Sequence, residues 1–275
     1  MLGRLNFTFA AVEALRPFLG PLYSWHTAVS HCERLKLPKV VRLVLVFLQK
    51  MLQDGHRVQT IGVKAPRVQE LFRTDAKAEG NEVWIGGWAV MDGTCTNQCR
   101  WFSERLTRHN AKWAFIADEP FRAIASLELL ATLVGCVLFG VEGSERGVIY
   151  CSAATDNFGN ACVLNRLLTT KFPLMAFLME IAARMIQSNV HLCLQWTPRL
   201  QNREADSLTN EDYRRFDPKL RLRFSLDEFE GIVMNDMLEA GAHLFKEVRE
   251  GRKKILKKAA KRARGAGLRE TDPWC

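Results

Sequence analysis

The sequence predicts an α/β fold built on one mixed five-stranded sheet with helices packed against it. Three observations predict it. Three short strand-like runs follow one another with only a few turn residues between them, which makes an antiparallel meander. A long apolar helix comes next. Beyond it strands alternate with helical stretches, so two further strands join the sheet in parallel through helical crossovers.

Taken in order, residues 7–19 and 39–54 have helical composition. The second stretch is apolar on nearly every face (Val40, Val41, Leu43, Val44, Leu45, Val46, Phe47, Leu48), so something must cover it. The polar link from Gly55 to Pro66 ends this helical region. Strand character then marks 68–75, 83–91 and 100–107, separated by turn-like pieces from Lys77 to Asn81 and from Asp92 to Gln98. Pro120 opens a helix through about Gly140, and 147–156 is an apolar run bounded by glycine and Asp-Asn. Helical segments follow at 158–169 and 173–188. A last strand at 190–197 is stopped by Pro198, and Asn202 is placed to cap a short helix holding Ala205 and Asp206. The order is β-β-β-α-β-α-α-β-α. It divides the chain into a helical segment (1–65), the α/β unit (66–216) and a helical extension with a basic tail (217–275).

Of the 275 residues 48% are hydrophobic and 25% charged, ordinary globular values that exclude a wholly disordered, collagen-like or coiled-coil chain. The net charge is +9, but residues 246–264 alone carry ten basic and two acidic side chains. The excess is therefore a tail. Eight cysteines lie scattered through apolar runs without a Cys-x-x-Cys pair, which fits buried thiols in a reducing compartment and an intracellular setting, nuclear or cytoplasmic. The apolar stretch from Leu129 to Val141 is shorter than the ~20 residues that span a bilayer. No membrane partner is expected. Glu13 and Arg16 interrupt the apolar N-terminal residues where a signal peptide would be uninterrupted.

Four carboxylates stand out. Asp75, Asp156 and Asp206 close strands or enter a helix beside polar turns. Glu128 is stranger, because its helical neighbours Ile124, Ala125, Ala131, Thr132 and Gly135 form an apolar, mostly small face on which a lone carboxylate is costly without a cation or donor. In a β-β-β-α-β layout the first and fourth strands are neighbours, so Asp75 and Asp156 meet at the sheet centre with Glu128 above them. Clustered carboxylates repel one another until divalent cations occupy the site, and Mg²⁺ suits all-oxygen ligation.

These motifs resemble the ribonuclease H domain of retroelement reverse transcriptases over roughly residues 66–216. Asp75 followed by Ile85-Gly86-Gly87-Trp88 is similar to the first aspartate with its glycine-rich second strand. Glu128-Leu129-Leu130-Ala131 is similar to the helix glutamate motif, and Thr155-Asp156-Asn157 to the Thr-Asp-Asn motif. Asn202 to Leu208 resembles the closing Asn-x-x-Ala-Asp-x-Leu signature, preceded by Trp196, Pro198 and Arg199. The four acids occur in the family's order at separations of 53, 28 and 50 residues. Leu2 to Phe7 and Arg16 to Tyr23 resemble the thumb or connection segment of such polymerases. Their palm, with its Tyr-x-Asp-Asp turn, has no counterpart here, and no primer extension is expected.

The resemblance implies hydrolysis of the RNA strand of RNA–DNA hybrids with two Mg²⁺ or Mn²⁺ ions, held by Asp75, Glu128, Asp156 and Asp206. It also implies nucleic-acid contacts at Gly86, Gly87, Asn157, Arg199 and Asn202, with the 2′-hydroxyl distinguishing RNA from DNA. A polymerase palm on another chain is a partner the resemblance allows. Many relatives carry a histidine in the loop before the last aspartate. Here 198–205 has none, and His191 lies in the preceding strand. Lys77 and Glu79 are expected to crowd the metal edge, while Trp88 and Trp101 are expected as exposed stacking surfaces. In the tail, Lys253, Lys254, Lys257, Lys258, Lys261 and Arg262 suit a phosphate-binding tether, and equally a localisation signal or a solvated helix. Two rivals are weighed: an integrase- or transposase-type nuclease, and a catalytically degenerate domain that binds nucleic acid or serves structurally. The first takes its final acid from a late helix, whereas Glu128 falls between the two aspartates.

Overall fold

The computed structural model describes residues 2–29, 37–54, 69–143 and 148–242. The link 55–66 and the basic tail, with Lys253, Lys254, Lys257, Lys258, Lys261 and Arg262, lie outside the described residues.

Five strands form one sheet: β1 (Glu70–Glu79), β2 (Glu82–Ala89), β3 (Trp101–Leu106), β4 (Ile149–Thr155) and β5 (Val190–Trp196). Their spatial order is β3-β2-β1-β4-β5, with β1 at the centre. The meander β1-β2-β3 is antiparallel, and β4 and β5 join it in parallel. This is the mixed α/β sheet that the order of elements predicts. The β1–β2 hairpin is longer than expected, because Lys77, Ala78 and Glu79 pair with Trp84, Val83 and Glu82. Only Gly80 and Asn81 turn, with Gly80 at φ +56°, a conformation glycine adopts without steric cost. Lys77 and Glu79 pair with each other at 3.3 Å, on the stretch of strand that runs beyond Asp75.

Helix α4 (Ile124–Phe139) lies against β1 on one side and a second long helix on the other; every residue from Ser126 to Gly135 is buried. Gly135 is required by a close approach. A Cβ there would sit 2.5 Å from the Phe72 ring, so the small face fixes α4 on β1 and hangs Glu128 above the sheet. Pro120–Ala123 forms a 3-10 turn leading into α4. By length and composition Pro120–Phe139 passes as a membrane span, but its leucines belong to the main core with Phe72, Ile85, Phe102 and Phe177.

The second long helix, α6 (Leu174–Gln187), is buried from Leu174 to Ala183, Glu180 included. Two cores share it. Phe177, Leu178, Ile181 and Met185 face the main core, whereas Ala176, Met179, Ala182 and Ala183 face a second one. The N-terminal helices fill that second core: α1 (Leu2–Thr8), α2 (Leu19–Val29) and α3 (Lys39–Gln53). Val40, Val41, Val44 and Leu48 are buried in it, so α3 is covered on that face. The expected helix over 7–19 is instead split. Pro17 supplies no N–H, so 13–18 winds as a 3-10 turn, and Pro21 fits in the first turn of α2. Residues 234–242, here α8, are helical and close the second core with Met237 and Ala240.

Buried Glu180 tethers α8 to α6. Its carboxylate accepts hydrogen bonds from the N–H groups of Ile232 (2.9 Å), Val233 (2.8 Å) and Met234 (3.0 Å), and pairs with Arg184 Nε at 2.8 Å. The carboxylate thus caps from another helix the N–H donors that a helix start leaves without partners.

Candidate metal centre

Three elements that are distant in sequence deliver the acids. Asp75 lies on central β1 opposite Gly86, Glu128 projects from the first half of α4, and Asp156 directly follows β4. Neighbouring β1 and β4 place the two aspartates side by side. One oxygen each of Asp75, Glu128 and Asp156 lies within 4.8 Å of the others. Ligands on opposite sides of a Mg²⁺ ion with 2.1 Å bonds are about 4.2 Å apart, so small side-chain movements complete a hard, all-oxygen set. The donor set fits the divalent cation that the resemblance implies.

Hydroxyl groups hold two of these carboxylates in place. Thr209 Oγ1 donates to Asp75 Oδ2 at 3.0 Å, and Thr155 Oγ1 donates to Glu128 Oε2 at 3.4 Å. Asp75 and Glu128 are each only 6% exposed. Burial, followed by the charge on Asp156, raises Asp75 to about 7. Glu128 is pushed well above the usual carboxylate range by burial and by Asp75 and Asp156. Asp156 is raised as well, mainly by burial, with Arg199 opposing the shift.

These shifts predict an inverted pH dependence of stability. With raised native values the folded chain binds more protons than the unfolded chain between about pH 4 and 7, so stability falls as pH rises through that window. For Asp75, moving from 3.8 to about 7 corresponds to roughly 4 kcal/mol. In chelator, the melting temperature should be higher near pH 5 than near pH 8, and millimolar Mg²⁺ should restore most of the difference by binding only the folded state. Equal melting temperatures at both pH values in chelator would remove the raised carboxylates from the account.

Asp206 stands beside this group without joining it. It lies on α7 (Arg203–Thr209), where its Oδ1 accepts from Arg199 Nη2 at 2.8 Å and its Oδ2 from Asn210 Nδ2 at 3.2 Å. Its charge still reaches the cluster, since it contributes to raising both Asp75 and Asp156.

The other expected contact residues divide. Asn157 caps α5 (Phe158–Arg166) by accepting from the Asn160 N–H at 3.0 Å. Asn202 makes no side-chain cap to α7, contrary to expectation. It is fully buried and donates to the Thr74 carbonyl at 3.1 Å, pinning the start of α7 to β1, while its Oδ1 has no partner among the described residues. Gly86 and Gly87 make room for the protein itself rather than an open surface. A Cβ on Gly86 would meet Leu208 of α7 at 2.9 Å, and one on Gly87 would meet Thr74 at 2.7 Å and Phe102 at 2.8 Å. By letting α7 rest on β2, Gly86 brings Asp206 and Thr209 to the acids.

Trp88 and Trp101 are buried, contrary to the expectation of exposed stacking rings; both pack on Phe216, and Trp101 also stacks on Tyr213. Two exposed aromatics stand beside the acids instead, Trp196 (52%) and Phe158 (65%), in edge contact at 6.2 Å. Trp196 Nε1 donates to the Asp156 carbonyl at 3.0 Å, so this pair borders the acids. Position carried the signal that sequence reasoning missed: Phe158 lies two residues after Asp156, and Trp196 ends β5, the strand paired with β4. His191 is at the opposite end of β5, against Tyr150, and burial lowers its pKa.

No protein-family model and no curated protein matches the sequence. Among solved structures, an RNase H1 from the halophilic archaeon Halobacterium salinarum is 18% identical, with a TM-score of 0.32, over 52% of this chain and 96% of that one. The N-terminal RNase H domain of a Mycobacterium tuberculosis protein, solved as a fusion with maltose-binding protein, is 19% identical, with a TM-score of 0.31, over 52% of this chain and 91% of that one. At such values it is the strand order of the sheet that carries the fold assignment.

Proposed function

We propose that this chain is a divalent-metal-dependent nuclease of the ribonuclease H type that hydrolyses the RNA strand of RNA–DNA hybrids. One observation carries the reading: Asp75, Glu128 and Asp156 converge from the central strand, the helix above it and the adjacent parallel strand, in the order the sequence motifs require. Buried carboxylates that raise one another's pKa are poised for cations. Bound divalent ions would supply Lewis acidity at the scissile phosphate and an activated water.

The protein's own groups orient and shield the site. Asp75, Glu128 and Asp156 are the ligands, and Thr209 and Thr155 hold two of them in a single orientation. Trp196 and Phe158 offer exposed ring faces beside Asp156 on which bases can stack. The motifs at 2–7 and 16–23 support reading the chain as the C-terminal part of a retroelement reverse transcriptase, or a gene derived from one. Six described cysteines are free, in keeping with an intracellular setting.

A labelled hybrid incubated with the full chain and Mg²⁺ should be cut in its RNA strand only. Single-stranded RNA, duplex RNA and duplex DNA should remain intact, and chelator should abolish cleavage. An uncut hybrid at millimolar Mg²⁺ and Mn²⁺ would leave the degenerate binding domain as the better reading.

A further inference from the structure

We propose that Arg199 is a built-in cation at the outer half of the acidic site, holding Asp206 in place of a second divalent ion and so gating that ion's entry. The inference rests on the nuclease reading and concerns how the same site is loaded.

The geometry separates two kinds of acid. Three carboxylates are mutually close and mostly buried, whereas the Asp206 side chain is 33% exposed and is bound by a guanidinium at 2.8 Å. Arg199 arrives from a short turn (Arg199–Gln201) directly before α7 and is itself 77% exposed. Its charge reaches beyond its own pair to Glu128 and Asp156, where it opposes the upward shift that burial imposes. Asn210 fills the other Asp206 oxygen, so both oxygens of this carboxylate are engaged within the protein.

Charge balance then sets the order of loading. Ionised, the four acids carry −4, and one divalent ion together with Arg199 leaves −1. A second divalent ion brings neutrality only if the guanidinium withdraws. An ion approaching Asp206 with Arg199 in place must displace a hydrogen-bonded cation and meets its repulsion. An exposed ion pair can be broken, so the guanidinium weakens binding of the second ion without excluding it. The first ion, among Asp75, Glu128 and Asp156, needs no such displacement.

Mn²⁺ titration of the full chain without nucleic acid, followed by calorimetry and by the electron paramagnetic resonance of free Mn²⁺, tests this directly. The wild type should bind one ion, with a second much weaker. Arg199→Ala should tighten the second by about tenfold or more and leave the first within about threefold, as expected for removing one charge a few ångströms from the outer position. Arg199→Lys keeps the charge and should stay close to wild type. In an Asp206→Asn background Arg199→Ala should have a much smaller effect on the second ion, because the pair to be displaced is already gone. If Arg199→Ala lowers the melting temperature but leaves second-ion affinity unchanged, Arg199 merely staples its turn to α7 and the gate is wrong. If wild type and Arg199→Ala bind no ion at millimolar concentration, the metal centre itself fails and the gate falls with it.

Discussion

Asp156→Asn should reduce cleavage of a hybrid by at least about 10²-fold while leaving the fold intact, the scale expected when a ligand positioning a catalytic metal is lost. The substitution keeps the shape of the side chain and removes its charge. Its main-chain role is unaffected, because Trp196 donates to the Asp156 carbonyl, which asparagine also presents. The same change removes a negative neighbour that raises Asp75 and Glu128. In chelator near pH 8 the variant should therefore melt higher than the wild type, as its activity collapses. Opposite movements of stability and rate distinguish a ligand from a structural residue. Cleavage at the wild-type rate would eliminate Asp156 from the site.

Glu180→Ala should destabilise the chain by about 3–5 kcal/mol, the cost of removing one member of a buried ion pair. The carboxylate is fully buried, and its loss leaves the Arg184 Nε–H and three backbone N–H groups without their acceptor, although Arg184 still donates to the Glu230 carbonyl. Orphaned buried donors cost about 1–3 kcal/mol each unless water reaches them. At roughly 2–4 °C per kcal/mol for a chain of this size, the melting temperature should fall by about 6–20 °C. Glu180→Gln should lie between, retaining one acceptor oxygen while turning an N–H₂ group toward donors. Urea unfolding measures both. A loss below about 1 kcal/mol for Glu180→Ala would mean that α8 docks through its apolar face alone.

Glu180 also shows how far the site was legible in the sequence. It is a carboxylate in an apolar helix, as Glu128 is, and local pattern does not separate the two. Glu128 stands out because its helical neighbours are apolar and mostly small and because three other acids occur in order with it. Besides Arg184 one turn away, the partners of Glu180 are backbone groups more than fifty residues away, invisible to any side-chain motif. The strand order and the convergence of Asp75, Glu128 and Asp156 could be read because hydrophobic alternation and short connections constrain topology strongly. The end of β1 was misplaced because Lys77, Ala78 and Glu79 look like turn residues, and only pairing across the hairpin makes them strand. Burial of Trp88 and Trp101 depends on Tyr213 and Phe216, which fold back from beyond α7. The Arg199–Asp206 pair was legible as two residues seven apart, but not as a competition, since that depends on where the turn aims the guanidinium.

The pinning of α7 to β1 also sets a timetable during synthesis. Asp75 waits for a hydroxyl 134 residues downstream, and the Thr74 carbonyl for an amide 128 residues downstream. At ribosomal rates of about 5–20 residues per second, that is an interval of roughly 7–27 s. During it Gly86 lacks the Leu208 contact that covers it, and the three clustered acids lack Asp206 beside them. A chain interrupted before residue 202 has neither Asp206 nor the contacts that seat it. The acidic site is thus among the last parts of the α/β unit to close, and a partial translation product lacks the helix that seats Asp75.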